Sequence, residues 1–295
     1  MVHTAWRSPV LGTVVELRLE GTAEATAAAE QNAWETFERL EQLFSTYRPD
    51  SELCRWRRGE VAVCSDELSD VLAAAETYFL ASGGAFHPAT AALTARWRQA
   101  EIDGRTPHPA ELDGLRTGLP FTVVDGFASR TGDCSGVDLN AIAKGYIVDR
   151  AAQEAFAHAG VESVLINAGG DLRHLGSGSV SVGIEDPALP YDNLPPRWRV
   201  SVSNAALATS GSARRGFRVA DQWLGHVLDP RTGWPVTHTT SVSVLAADAM
   251  TADALATVLG VLAHDEAVAF AEREQVACLI VDAEGHYSLS TTWPG

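Results

Sequence analysis

No stretch of this 295-residue chain approaches the roughly 20 consecutive apolar residues of a membrane-spanning helix. The opening MVHTAWRSPVLGTVVELRL lacks the basic start, apolar stretch and small-residue cleavage site of a secretory signal. A cytoplasmic protein without membrane insertion is therefore expected. Cysteine is sparse: Cys54, Cys64, Cys134 and Cys278 stand far apart, with no C-x-x-C pair and no cluster with histidine. That scatter predicts reduced, inert thiols and argues against a structural zinc. Basic residues are few, 22 against 38 acidic, for a net charge of −16. Such a balance argues against a nucleic-acid or anionic-membrane partner. It also means that an anionic substrate would need a local cation, the first hint of a metal. The dinucleotide fingerprint G-x-G-x-x-G and the serine-hydrolase elbow G-x-S-x-G are both absent.

What the chain does contain is enough apolar material, 46%, for a sizeable core. It fits one domain over 1–295, or two tightly joined lobes. The pattern is α+β. Thr13 to Leu19 alternates like a half-buried strand, and Thr22 to Phe44 carries Ala33, Phe37, Leu40 and Phe44 at helical spacing before a break at Pro49. Asp66 to Ser82 reads as a second amphipathic helix. Arg96 to Leu119 is polar, with Pro107 and Pro109, and is expected to be a mixed surface segment. Phe121 to Phe127 reads as a strand, Ala141 to Ala159 as a helix, and Val161 to Asp171 as a strand entering a glycine turn. Further strands and turns lead to helices around Thr251 to Leu262 and His264 to Arg273, then a last hairpin. Hairpins and crossovers together predict a mixed sheet.

Five segments carry possible chemistry. In VDLNAIAKGYIVDR, Asp138 and Asn140 suit a helix N-cap, and the free N–H groups there suit an anion. Lys144 should lie one turn in, and Gly145, unfavourable in a helix by about 1 kcal/mol, suggests a close approach. The competing reading is an ordinary capped helix with a solvated lysine. In INAGGDL, Gly169 and Gly170 let a backbone approach a ligand, or simply turn the chain. LATSGSARRG offers Ser210 and its amides beside Arg214 and Arg215, suited to phosphate, though a polar loop looks the same. In GHVLDPRTGWP, His226 could be a base oriented by Asp229, or a structural histidine ahead of a D-P-R-T-G turn. Finally, DAMTADALAT sets Asp253 and Thr257 on one face of an apolar helix. A carboxylate on such a face is costly unless it is paired, holds a cation or meets water; Thr257 could instead bond back to the Asp253 carbonyl.

Taken in order, LGT, STYRPDSEL, GGAFHPAT, VDLNAIAKGYIVD, INAGGDL, VGIEDP, ATSG, HVLDPRTGWPV, SVSVLA and MTADALAT resemble the ApbE family of FAD:protein FMN transferases, from about Leu11 to the C-terminus. The resemblance implies an ApbE-like α+β fold with mixed or antiparallel sheets and packed helices. It implies a metal site in which Asp253, Thr257 and the backbone carbonyl of Ala141 bind Mg²⁺, an ion that favours oxygen ligands and few carboxylates. It also implies FAD contacts from Leu11, Tyr47, Ala85, Phe86, His87, Asp138, Lys144, Gly169, Gly170, Ser210, His226 and Val227. His87 stands where the family usually has Asp, and Asn140 where it has Gly or Ser.

The implied activity is Mg²⁺-dependent transfer of FMN from FAD to a Thr or Ser hydroxyl of an acceptor flavoprotein, releasing AMP, with Lys144 assisting and His226 as general base. Two rivals are a pyrophosphatase splitting FAD into FMN and AMP, and a non-catalytic FAD-binding protein disabled at His87. A purely structural protein would leave the polar residues without a purpose.

Overall fold

The computed structural model describes residues 1–189 and 193–294. Strands β1 (Val2–Val10) and β2 (Thr13–Gly21) pair through the tight turn Leu11–Gly12, both residues at positive φ. Two-residue turns of that kind match the right-handed twist of strands. The Thr22 hydroxyl accepts from the Ala25 N–H and starts α1 (Ala23–Phe44), whose Ala29, Ala33, Phe37 and Leu40 are buried. After the break at Pro49, Ser51 and Ser65 cap α2 (Glu52–Arg57) and α3 (Asp66–Ala81) in the same way.

The polar stretch expected as mixed surface contains α4 (Ala91–Asp103) and α5 (Pro109–Asp113). Trp97 of α4 is fully buried and donates its indole N–H to the Gly233 carbonyl at 2.8 Å. A small second core of Leu93, Trp97, Leu112, Phe217, Leu224 and Leu228 forms there. The single strand expected at Phe121 to Phe127 is instead a hairpin, β3 (Phe121–Val124) and β4 (Phe127–Arg130), turning at Asp125-Gly126.

The rest runs α6 (Ala143–Phe156), β5 (Val161–Ala168), β6 (Asp171–Gly176), β7 (Val180–Ile184), β8 (Trp198–Val202), β9 (Ala206–Gly211), β10 (Gly216–Val219), β11 (Gln222–Gly225), β12 (Thr239–Ala246), α7 (Ala249–Val261), α8 (His264–Arg273), β13 (Ala277–Asp282) and β14 (Tyr287–Leu289). Eight strands form one sheet in the order β1-β2-β5-β6-β9-β12-β13-β14, and every neighbouring pair is antiparallel. The expectation of a mixed sheet is corrected: the helices interrupt antiparallel returns rather than bridging parallel strands.

Alternation sets the layers. Val15, Leu17, Leu19, Val164, Ile166, Ala206, Ala208, Val242 and Val244 join the main core with α1, α6 and α7. Leu172, Leu207, Leu279 and Val281 point the other way, against the β7–β8 ribbon. The pairings Val10–Thr13, Val15–Ala168, Ala168–Asp171 and Asp171–Ala208 gather the Leu11–Gly12 turn, the Gly169–Gly170 turn and the end of β9 at one end of the sheet. No helix among the described residues is long and apolar enough to cross a membrane.

Candidate active site

Ile142 occupies the N-cap of α6, and no side chain caps that helix. The cap expected from Asp138 and Asn140 is therefore not made. Asp138 folds a turn just upstream, accepting from the Asn140 N–H at 2.8 Å and from its Nδ2 at 3.1 Å. Its own N–H donates to the Pro88 carbonyl at 2.6 Å, tying this loop to the one that carries Ala85, Phe86 and His87. Burial raises the Asp138 pKa, against the Asn140 hydrogen bonds and the charges of Arg57 and Arg98.

Lys144 is the second residue of α6, not one turn in, and the only lysine in the sequence. Its ammonium pairs with Asp171, which opens β6 directly after the Gly169–Gly170 turn. Burial disfavours the ammonium, but the carboxylates of Asp171 and Asp253 outweigh it and hold its pKa above the usual lysine range. Lys144 is thus a fixed cation. Asp171 was not singled out from the sequence; a carboxylate ending a glycine turn after a buried strand, G-G-D, was the signal available.

A Cβ on Gly145 would meet the Ala249 carbonyl oxygen at 2.2 Å, so α6 touches the start of α7 backbone to backbone. The close approach expected at this glycine is made to a helix. Its N–H donates to Asp253 Oδ2 at 3.3 Å instead of to the carbonyl four residues back. That carbonyl belongs to Ala141, and no N–H among the described residues donates to it. Asp253 receives no second protein hydrogen bond at its carboxylate, and the Thr257 hydroxyl makes no bond back to the Asp253 carbonyl among the described residues.

A carboxylate oxygen of Asp253, the Thr257 hydroxyl one turn further along α7, and the Ala141 carbonyl four residues before Gly145 are thus left without protein donors. This donor set fits Mg²⁺. No three His, Cys, Asp or Glu side chains among the described residues group as a metal site, so the candidate is an oxygen set with one carboxylate. Burial and the charge of Asp171 push the Asp253 pKa up to about 7, against Lys144 and the Gly145 N–H; a bound cation reverses such a shift.

His226 follows β11. Its backbone N–H and its ring Nδ1 both engage the Arg215 carbonyl, at 3.1 and 3.3 Å. Donation from Nδ1 leaves the lone pair on Nε2. Part of the residue is exposed, yet crowding of the ring lowers its pKa; the Arg215 carbonyl opposes this, and the charges of Arg215 and Lys144 reinforce it. Asp229 does not orient the ring, contrary to expectation. Its carboxylate accepts from Arg231 Nε and Nη2, both at 3.0 Å, and its carbonyl closes the D-P-R-T-G turn. Val227, half-buried, accepts from the Val236 N–H at 2.9 Å and closes the same loop.

The other candidates divide by position. Leu11, Gly169, Gly170 and Ser210 share the sheet end beside Asp171. Gly169 packs so closely that a Cβ would lie 2.4 Å from Thr13 Oγ1. Tyr47, 81% exposed, stands on the lip of a cleft of about 580 Å³ that includes Cys54, Arg57 and Ser135. Ala85 and Phe86 are buried, so a ligand would meet their backbone; the Phe86 ring packs on Tyr78. His87 lines a second cleft of about 320 Å³ with Phe79, Arg116 and Arg231. Ala89 N–H donates to its Nδ1 and its Nε2 donates to the Thr117 carbonyl, each at 3.0 Å. Both nitrogens of a neutral ring are thereby used, and burial lowers its pKa.

Residues 11–280 match the ApbE family. The FAD:protein FMN transferase of Treponema pallidum is 31% identical over 294 residues, covering 88% of this chain and 79% of its own length. The FAD:protein FMN transferase of Vibrio cholerae is 32% identical over 259 residues, covering 83% and 76%. The crystal structure of the ApbE protein of Thermotoga maritima superposes with a TM-score of 0.87 at 26% identity, over 99% of this chain and 98% of that one. The match covers nearly the whole chain, sheet and helices included: this chain belongs to the ApbE family.

Proposed function

We propose that this chain is a Mg²⁺-dependent enzyme that transfers FMN from FAD to a Thr or Ser hydroxyl of an acceptor flavoprotein and releases AMP. The observation that carries the reading is the buried Asp253 carboxylate, which has one protein donor, the N–H of Gly145 next to Lys144, with the Ala141 carbonyl and the Thr257 hydroxyl left without donors. The names of the relatives support transfer of FMN from FAD to protein. Bound by those oxygens, Mg²⁺ would supply charge neutralisation and orientation at the FAD pyrophosphate.

Lys144, kept charged by Asp171, adds a fixed cation for the charge that develops on the transferred phosphoryl group. The uncapped N-terminus of α6 offers further positive potential. His226 takes the acceptor hydroxyl proton at Nε2 as that oxygen bonds to the FMN phosphorus. The test is product analysis with FAD, Mg²⁺ and acceptor, against the same mixture with EDTA. Mg²⁺-dependent AMP in step with acceptor-bound FMN supports the proposal. Free FMN and AMP without bound flavin supports the pyrophosphatase, and unchanged FAD supports mere binding.

A further inference from the structure

Arg215 lies in the loop between β9 and β10, and its carbonyl takes both His226 donors. Its side chain is exposed, and no carboxylate pairs with it among the described residues. Its neighbour Arg214 does pair, with Glu185 at 2.9 Å. An uncompensated guanidinium is notable where acids outnumber bases 38 to 22. The field of Arg215 reaches both His226 and Lys144. The Lys144 charge is balanced by Asp171, whereas no carboxylate among the described residues balances that of Arg215. The complement of such a charge is an anion, and the planar fork of a guanidinium matches phosphate oxygens.

We propose that Arg215 has two parts in the transfer reaction: its guanidinium holds the pyrophosphate of the flavin dinucleotide, and its carbonyl fixes the His226 ring so that Nε2 is the proton acceptor. This rests on the transferase reading of the site. In the step itself the acceptor hydroxyl oxygen forms a bond to the FMN phosphorus, the phosphorus–oxygen bond to AMP breaks, AMP leaves with the electron pair, and the hydroxyl proton passes to Nε2. Arg215 holds the phosphates in line and changes no bond.

Arg215→Ala removes the guanidinium and keeps the carbonyl, which separates the two parts. By calorimetry, FAD should bind the variant about tenfold more weakly. Riboflavin, which has no phosphate, should bind both proteins alike, and Arg215→Lys should recover part of the FAD affinity. By NMR, the His226 ring should titrate at higher pH in Arg215→Ala, because a repelling cation facing it has gone while Lys144 remains. Unchanged FAD affinity, an equal loss for FAD and riboflavin, or an unmoved His226 titration would each overturn the proposal. None of these readouts needs turnover. Failure of the transferase reading is seen separately, as acceptor protein that never gains FMN.

Discussion

His226 donates from Nδ1 to the Arg215 carbonyl, and crowding with two nearby cations keeps the ring neutral below its ordinary pKa of 6.5. A neutral imidazole with a free Nε2 is a base at physiological pH. His226→Ala should lower single-turnover transfer by about 10²–10⁴-fold with little change in FAD affinity. Loss of FAD binding in proportion to rate would make His226 a binding residue only. Because the folded pKa is depressed, the wild-type rate should hold through neutrality and fall only as pH drops below 6.5 and the ring gains its proton. Stability should fall in the same direction, since the unfolded chain binds that proton more readily.

Asp253→Asn keeps the side-chain volume but removes the carboxylate. Even partners of metal ligands cost 10–100-fold in affinity or activity, so loss of this ligand should weaken Mg²⁺ at least about 100-fold. A Mg²⁺ titration of the FAD-loaded protein that is unchanged from wild type would remove Asp253 from the site. At this scale the sequence marked Asp253 as a carboxylate on an apolar helix, and the structure buries it there, while a metal role for Asp253 and Thr257 was implied by the family resemblance alone. For Asp171 it offered only the G-G-D turn, because the pairing with Lys144 depends on the sheet bringing β6 against α6.

The contact between α6 and α7 is the element on which the site depends. Gly145→Ala should improve intrinsic helix propensity by about 1 kcal/mol. A Cβ 2.2 Å from a carbonyl oxygen cannot stay there, however, and the forced shift should cost more, about 1–3 kcal/mol net in urea unfolding. The same shift would part the Gly145 N–H from Asp253, so Mg²⁺-dependent turnover should fall as well. A variant as stable and active as wild type would show that the two helices can part freely.

Elements with strong periodicity, such as β2, α1 and α3, were legible because one face of each is buried, and α7 because its apolar run is buried nearly all round. Helix α4 was not, because only Leu93, Trp97 and Ala100 of it are buried and charge dominates the rest. Strand β1 was not, because it lies at the sheet edge with Trp6 64% exposed and shows no alternation. The β3–β4 hairpin carries an Asp-Gly turn signal, but inside an apolar run that reads as one strand.

Across the whole molecule, antiparallel registry brings the turns at Leu11 and Gly169 and the end of β9 to one end of the sheet, where the start of α6 sets Lys144 on Asp171 and Gly145 on Asp253 of α7. The sequence pattern indicated the α+β class, but the all-antiparallel order depends on long-range pairing that no local signal encodes. In a chain of net charge −16, the proposed site draws its positive charge from Lys144, Arg215 and the metal that Asp253 would hold. The most direct test of this account is the intact mass of a candidate acceptor flavoprotein after incubation with the enzyme, FAD and Mg²⁺. The account predicts a single addition the size of an FMN phosphoester, lost when the acceptor Thr or Ser is replaced by Ala and when Mg²⁺ is removed. An acceptor of unchanged mass, in a mixture where FAD has been consumed to free FMN and AMP, would contradict it.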